Sequence, residues 1–101
     1  AVFDGKAGAY LQPFFFPSDG QAVRALMEVV RDANHSFRVF APDYVLYRVG
    51  WFDPESGAVG SYAAPDQVVT LVDLVRMARK AGVISEQTEM FDEDGNVAQV
   101  Q

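Results

Sequence analysis

Aromatic and basic side chains are what this chain has to offer chemically. Tyr10, Tyr47 and Trp51, with Lys6, Arg38 and Arg48 near them, are the residue types that hold a single nucleic-acid strand. Flat rings stack on bases, at about 1–3 kcal/mol per base, and cations meet phosphates. Phe14, Phe15 and Phe16 stand side by side between Pro13 and Pro17. Strand alternation separates Phe15 from its two neighbours, so the three rings cannot all enter one core unless the strand bulges. At least one must reach a second surface, and self-association is the more frequent fate of an exposed aromatic patch. The competing reading is core packing, which must absorb half of the aromatics of a sheet covered on one face.

Other residues of catalytic or ligating type have plainer readings. His35 is the only histidine and lies between Asn34 and Ser36, with no cysteine anywhere in the chain. Without a nucleophile to complete a set, a turn or cap role suits it. Asp4 and Asp53 each follow a phenylalanine at the head of a turn, where a carboxylate accepts from the backbone two residues on. "DEDGN" at 92–96 alternates oxygen ligands as a calcium loop does, but the closing glutamate is missing. Gly5 and Gly8 are turn residues, too far from a helix start to cradle phosphate. The expectation is a protein that is not an enzyme, with no metal and no cofactor.

The elements that must position these residues follow from pattern. "AVFD", "GKAG" and "AYLQPFFF" read as strand, turn and strand, with Pro13 forcing an edge or bulge. Ser18 and Gln21 form a capping box before the apolar stripe Ala22, Val23, Leu26, Val29, Val30 and Ala33, a helix ending near Asp32 to Asn34. Residues 35–42 read as a connector, broken by Pro42. "DYVLYRVGWFD" (43–53) is the clearest strand, with Tyr44, Leu46, Arg48, Gly50 and Phe52 on one face and Val45, Tyr47, Val49 and Trp51 on the other. "PESG" turns it into "AVGSYAA" (58–64), and Pro65 opens a second helix whose stripe Val68, Leu71, Val72, Val75, Met77 or Ala78 runs to Gly82. "FDGKAGA" at 3–9 matches "FDPESGA" at 52–58. The architecture expected is therefore α+β: two ββα units, an antiparallel sheet with two helices on one face, and an acidic C-terminal tail.

Charge divides the chain in the same way. The net charge of −6 comes mostly from residues 86–94, with five acids and no base; residues 1–83 hold nine acids against all eight bases, a balance of −1. A single domain over 1–83 is expected, followed by an acidic tail over 84–101, a hairpin or a disordered segment. That tail reads either as a solvating terminus or as a mimic of nucleic-acid charge that lies across the basic residues of the body. No stretch has the length of a membrane span and no basic-then-apolar leader opens the chain, so a soluble intracellular protein is expected.

"AVFDGKAGAYLQPFFFPSDGQAVRAL", the Asp32-Ala33-Asn34-His35 step and "PDYVLYRVGWFDPESGAV" at 42–59 resemble the small nonstructural protein of the Microviridae, best known from the gokushovirus group of single-stranded DNA phages. The resemblance covers about residues 1–62; the second helix and the tail depart from the shorter members. It implies a native chain that begins slightly upstream of Ala1, in the host cytoplasm. It also implies a non-virion protein that binds single-stranded DNA, or the replication machinery on it, during genome replication or the switch to single-strand synthesis. The near-neutral body favours another class: an oligomeric assembly factor that engages a capsid, replication or host protein and never touches DNA. In either case a homo-oligomer is expected, with Phe14, Phe15 and Phe16 at its interface.

Overall fold

Strand alternation sets the layers. β1 (Val2–Asp4), β2 (Ala9–Tyr10), β3 (Tyr44–Phe52) and β4 (Val59–Thr70) pair antiparallel in the order β2-β1-β3-β4. The computed structural model describes residues 1–85, so the acidic tail from Glu86 onward, with its calcium-like motif, lies outside the described residues. Val2 pairs with Leu46 and Leu46 with Val69, which brings three apolar residues to one side of three neighbouring strands. Onto that side pack α1 (Asp19–Val29) through Ala22 and Leu26, and α3 (Leu71–Lys80) through Leu71, Leu74, Val75 and Ala78. Val30, Ala41 and Ile84 complete the core. Full burial of a leucine such as Leu71 or Leu74 contributes about 1.5–3 kcal/mol. The expected α+β architecture, an antiparallel sheet with helices, is the one observed.

Helix limits follow their caps. The Ser18 hydroxyl accepts from the Gln21 N–H at 3.2 Å and starts α1. α1 ends at Val29, before the expected Asp32, because the Asp32 carboxylate takes the Asn34 N–H (2.9 Å) into a turn and Arg38 Nη1 donates to the Val30 carbonyl (2.7 Å). The connector at 35–42 is more regular than its proline implies: it holds α2 (Ser36–Val39) and a 3-10 turn at Ala41–Asp43 with Pro42 in its first turn. His35 caps α2, its Nδ1 accepting from the Phe37 N–H at 3.0 Å. This is the turn role that its sequence context predicts.

Three further sequence expectations are corrected. The second strand stops at Tyr10 instead of running to the phenylalanines; Leu11 N–H still donates to the Val2 carbonyl (2.8 Å), and residues 11–17 then carry no regular structure. Pro13 and Pro17, lacking N–H groups, cannot extend the ladder. The second helix starts at Leu71 and not at Pro65, because Thr70 supplies a cap: its hydroxyl accepts from the Asp73 N–H at 3.1 Å. Pro65 instead sits in the edge strand β4, within a stretch at 62–65 that lies between the pairs Arg48↔Asp66 and Gly50↔Ser61. A proline is tolerated there, at an edge and inside a bulge. Along α3, Leu74 faces the core while Val72 and Met77 are exposed, so the inner stripe is rotated from the one the sequence predicts.

Both hairpin turns are built alike. Asp4 Oδ1 accepts from the Lys6 N–H at 2.9 Å, and Asp53 Oδ1 from the Glu55 N–H at 3.0 Å. Gly8 donates to the Asp4 carbonyl (2.8 Å) and Gly57 to the Asp53 carbonyl (2.7 Å). Gly8 and Gly57 have φ values of +67° and +77°, the left-handed region that glycine enters without penalty. The two aspartates are thus turn carboxylates, as expected from the repeat.

Candidate nucleic-acid interface

The helices leave the second side of the sheet uncovered, and aromatic rings occupy it. Phe3 in β1 pairs with Tyr10 in β2 and with Val45 in β3, so its ring points away from the Val2–Leu46 side. The Phe3 and Tyr10 rings meet edge to face with centroids 4.9 Å apart, Tyr10 and Tyr47 lie 5.7 Å apart, and Phe3 and Tyr47 lie 6.4 Å apart. Three strands thereby supply one cluster, each pair contributing about 0.5–1.5 kcal/mol beyond its buried area. Tyr47 is fixed by the ladder beneath it, its N–H donating to the Ala1 carbonyl at 2.8 Å. Tyr10 is exposed at the rim, while Phe3 and Tyr47 are half-buried.

Trp51 lies four residues beyond Tyr47, about 13 Å further along β3 and on the same side by alternation. Its exposed ring covers Gly60 of β4, where an added Cβ would come within 2.3 Å of the indole. Gly60 is therefore the seat of the tryptophan. Lys6 is exposed in the β1–β2 turn, in the hairpin that carries Tyr10.

The arginines are placed elsewhere. Arg38 belongs to α2 and reaches the end of α1. Arg48 alternates with Tyr47 and points to the helical side, where Nη2 donates to Asp19 Oδ2 at 2.7 Å and Nε to Asp19 Oδ1 at 3.2 Å. Nη1 adds a 3.3 Å bond to Asp66, and the guanidinium carbon lies 6.0 Å from the Tyr62 ring centroid. The hydrogen bond to Arg48 holds the Asp19 carboxyl below its ordinary range, and the same bond raises the guanidinium further above its own. This bidentate pair ties β3 to the first turn of α1.

The three phenylalanines divide differently from the tyrosines. Phe15 meets Phe52, at the far end of β3, with centroids 5.7 Å apart; Phe14 and Phe16 meet each other at 5.6 Å. All three are exposed. Of the site residues read from the sequence, the structure brings together Tyr10 and Tyr47, leaves Trp51 further along the same side, and sets Arg38 and Arg48 apart from them. The sequence reading missed Phe3, Asp19 and Phe52. The repeat carried a signal for Phe3 and Phe52, since both stand at the strand end before the same turn. Asp19 had none beyond its place in a helix's first turn.

Among the described residues, no group of three or more His, Asp or Glu side chains could hold a metal ion, and no helix is long and apolar enough to cross a membrane. A protein-family model described as Phage ORF5 protein matches residues 1–74, a stretch that runs through the whole sheet and into α3. No curated protein and no solved structure matches the chain.

Proposed function

The chain belongs to the Phage ORF5 protein family, and on that premise we propose that it is a nonstructural protein of the Microviridae that holds single-stranded DNA without reading its sequence. It acts in the host cytoplasm during genome replication or the switch to single-strand synthesis. The observation that carries this reading is the uncovered aromatic cluster of Phe3, Tyr10 and Tyr47, with Trp51 beyond it. Bases stack on such rings whatever their identity, and Lys6 at the rim supplies a cation for phosphate. The role is binding, not catalysis, and it needs no cofactor.

A titration of labelled single strand and labelled duplex, followed by fluorescence anisotropy at two salt concentrations, tests the proposal. Saturable binding that prefers the single strand and weakens with salt is the expected result. Absence of saturable binding at low salt would overturn it. That outcome would favour the second reading, a factor that engages a replication, capsid or host protein. Arg48 is the observation on that side: its guanidinium is engaged by two carboxylates, away from the aromatic face.

A further inference from the structure

The distal end of the second hairpin carries an apolar surface separate from the aromatic face. Phe52 and Val59 are a cross-strand pair, so both side chains stand on one side of the β3–β4 ribbon. That side is the one shared with Leu46 and Arg48, and Phe15 packs on it through Phe52. Val59 is 64% exposed, Phe15 59%, Phe52 48%, Phe16 43% and Phe14 37%. At roughly 200 Å² for a full side chain, these five offer about 500 Å² of apolar surface. Set against the same surface of a second copy, it would bury about 1,000 Å² in total, the size at which specific interfaces begin. Apolar surface of this extent on a soluble protein is often functional.

We infer that this patch, centred on Phe15, Phe52 and Val59, is the homodimer interface, closed by a second copy of the same chain about a two-fold axis. An isologous contact sets a surface against itself, so any charge at its centre faces a like charge. The five residues of the patch carry none. A nucleic acid is disfavoured here, since Arg48 on this side is held by Asp19 and Asp66, and Arg24 near Phe16 is accompanied by Glu28. The contact is made by side chains and not by strand addition, because Pro65 and the irregular stretch at 62–65 blunt the free edge of β4. Phe14 and Phe16, braced on each other, extend the patch toward the start of α1.

Sedimentation equilibrium of the full chain without DNA, from micromolar to submillimolar concentration, tests the inference independently of the aromatic face. Wild type should have twice the chain mass. Phe15→Asp and Val59→Lys should each raise the dimer dissociation constant by at least about tenfold, as central interface residues do, with circular dichroism unchanged. Val59 is the control against misfolding, because a side chain this exposed does not support the core. A monomeric wild type, or a Val59→Lys protein that remains as dimeric as wild type, would overturn the inference.

Discussion

The two hairpins share a turn and little else. "FDGKAGA" and "FDPESGA" fold with the same aspartate, the same glycine at positive φ and the same backbone bonds. Beyond the first turn the strand lasts two residues, and its Phe3 joins Tyr10 and Tyr47 on the uncovered side of the sheet. Beyond the second it lasts twelve, and its Phe52 meets Phe15 on the opposite side. The difference teaches that a duplicated turn fixes where a strand ends and which residue stands there. What that residue does is decided by the register of its strand. Phe3 is one residue from the buried Val2, so it faces outward; Phe52 is six from the buried Leu46, so it shares its side.

Leu46→Ala attacks the root that both hairpins share, since Leu46 pairs with Val2 and with Val69. A loss of about 2–5 kcal/mol is expected, read as a melting temperature lower by at least about 8 °C, with both binding functions falling together. Gly50→Ala breaks the second hairpin alone, because the new Cβ would sit 2.1 Å from the Gly60 carbonyl oxygen. It should cost about 1–3 kcal/mol and weaken both dimerisation by sedimentation and single-strand affinity, because the Trp51 ring is seated on Gly60. Gly8→Ala and Gly57→Ala sharpen the likeness of the turns. Neither new Cβ meets anything within 4 Å, so only backbone strain is added, and denaturant unfolding should show the same loss of about 1–2 kcal/mol for each.

The smallest effect concerns pH. The Ser56 hydroxyl, and then the Glu55 N–H, hold the Asp53 carboxyl below its ordinary value of 3.8. A depressed folded value means that the charged form favours the fold, with its contribution present above pH 3.8 and lost as the pH falls through the lower value. Ser56→Ala should therefore melt slightly below wild type at neutral pH. In acid the gap should narrow to what the Ala58 N–H bond to the Ser56 hydroxyl (3.2 Å) contributes; a gap of constant size would show that the bond to Asp53 contributes nothing.

Much of this was legible in the residues. The turns at Asp4 and Asp53, the cap at Ser18, the role of His35 and the faces of β3 all follow from local chemistry. What escaped depended on contacts between distant segments. Pro65 looked like a helix start because its strand's edge position and bulge are set by pairing with β3, which no local pattern records. Arg48 looked free because Asp19 is twenty-nine residues away in the chain. Phe14 to Phe16 looked like strand because alternation cannot register that β2 has ended at Tyr10.

The central claim, that the uncovered side of the sheet with Tyr47 and not the opposite side with Phe52 receives nucleic acid, is tested most directly by one comparison. Tyr47→Ala and Phe52→Ala would each be titrated with a labelled single strand too short to span two copies. Tyr47→Ala should weaken binding about 5- to 150-fold, the loss of one stacked base at 1–3 kcal/mol, and Phe52→Ala should leave it at the wild-type value. Equal losses in the two variants, or a Tyr47→Ala protein that binds as wild type does, would contradict the account.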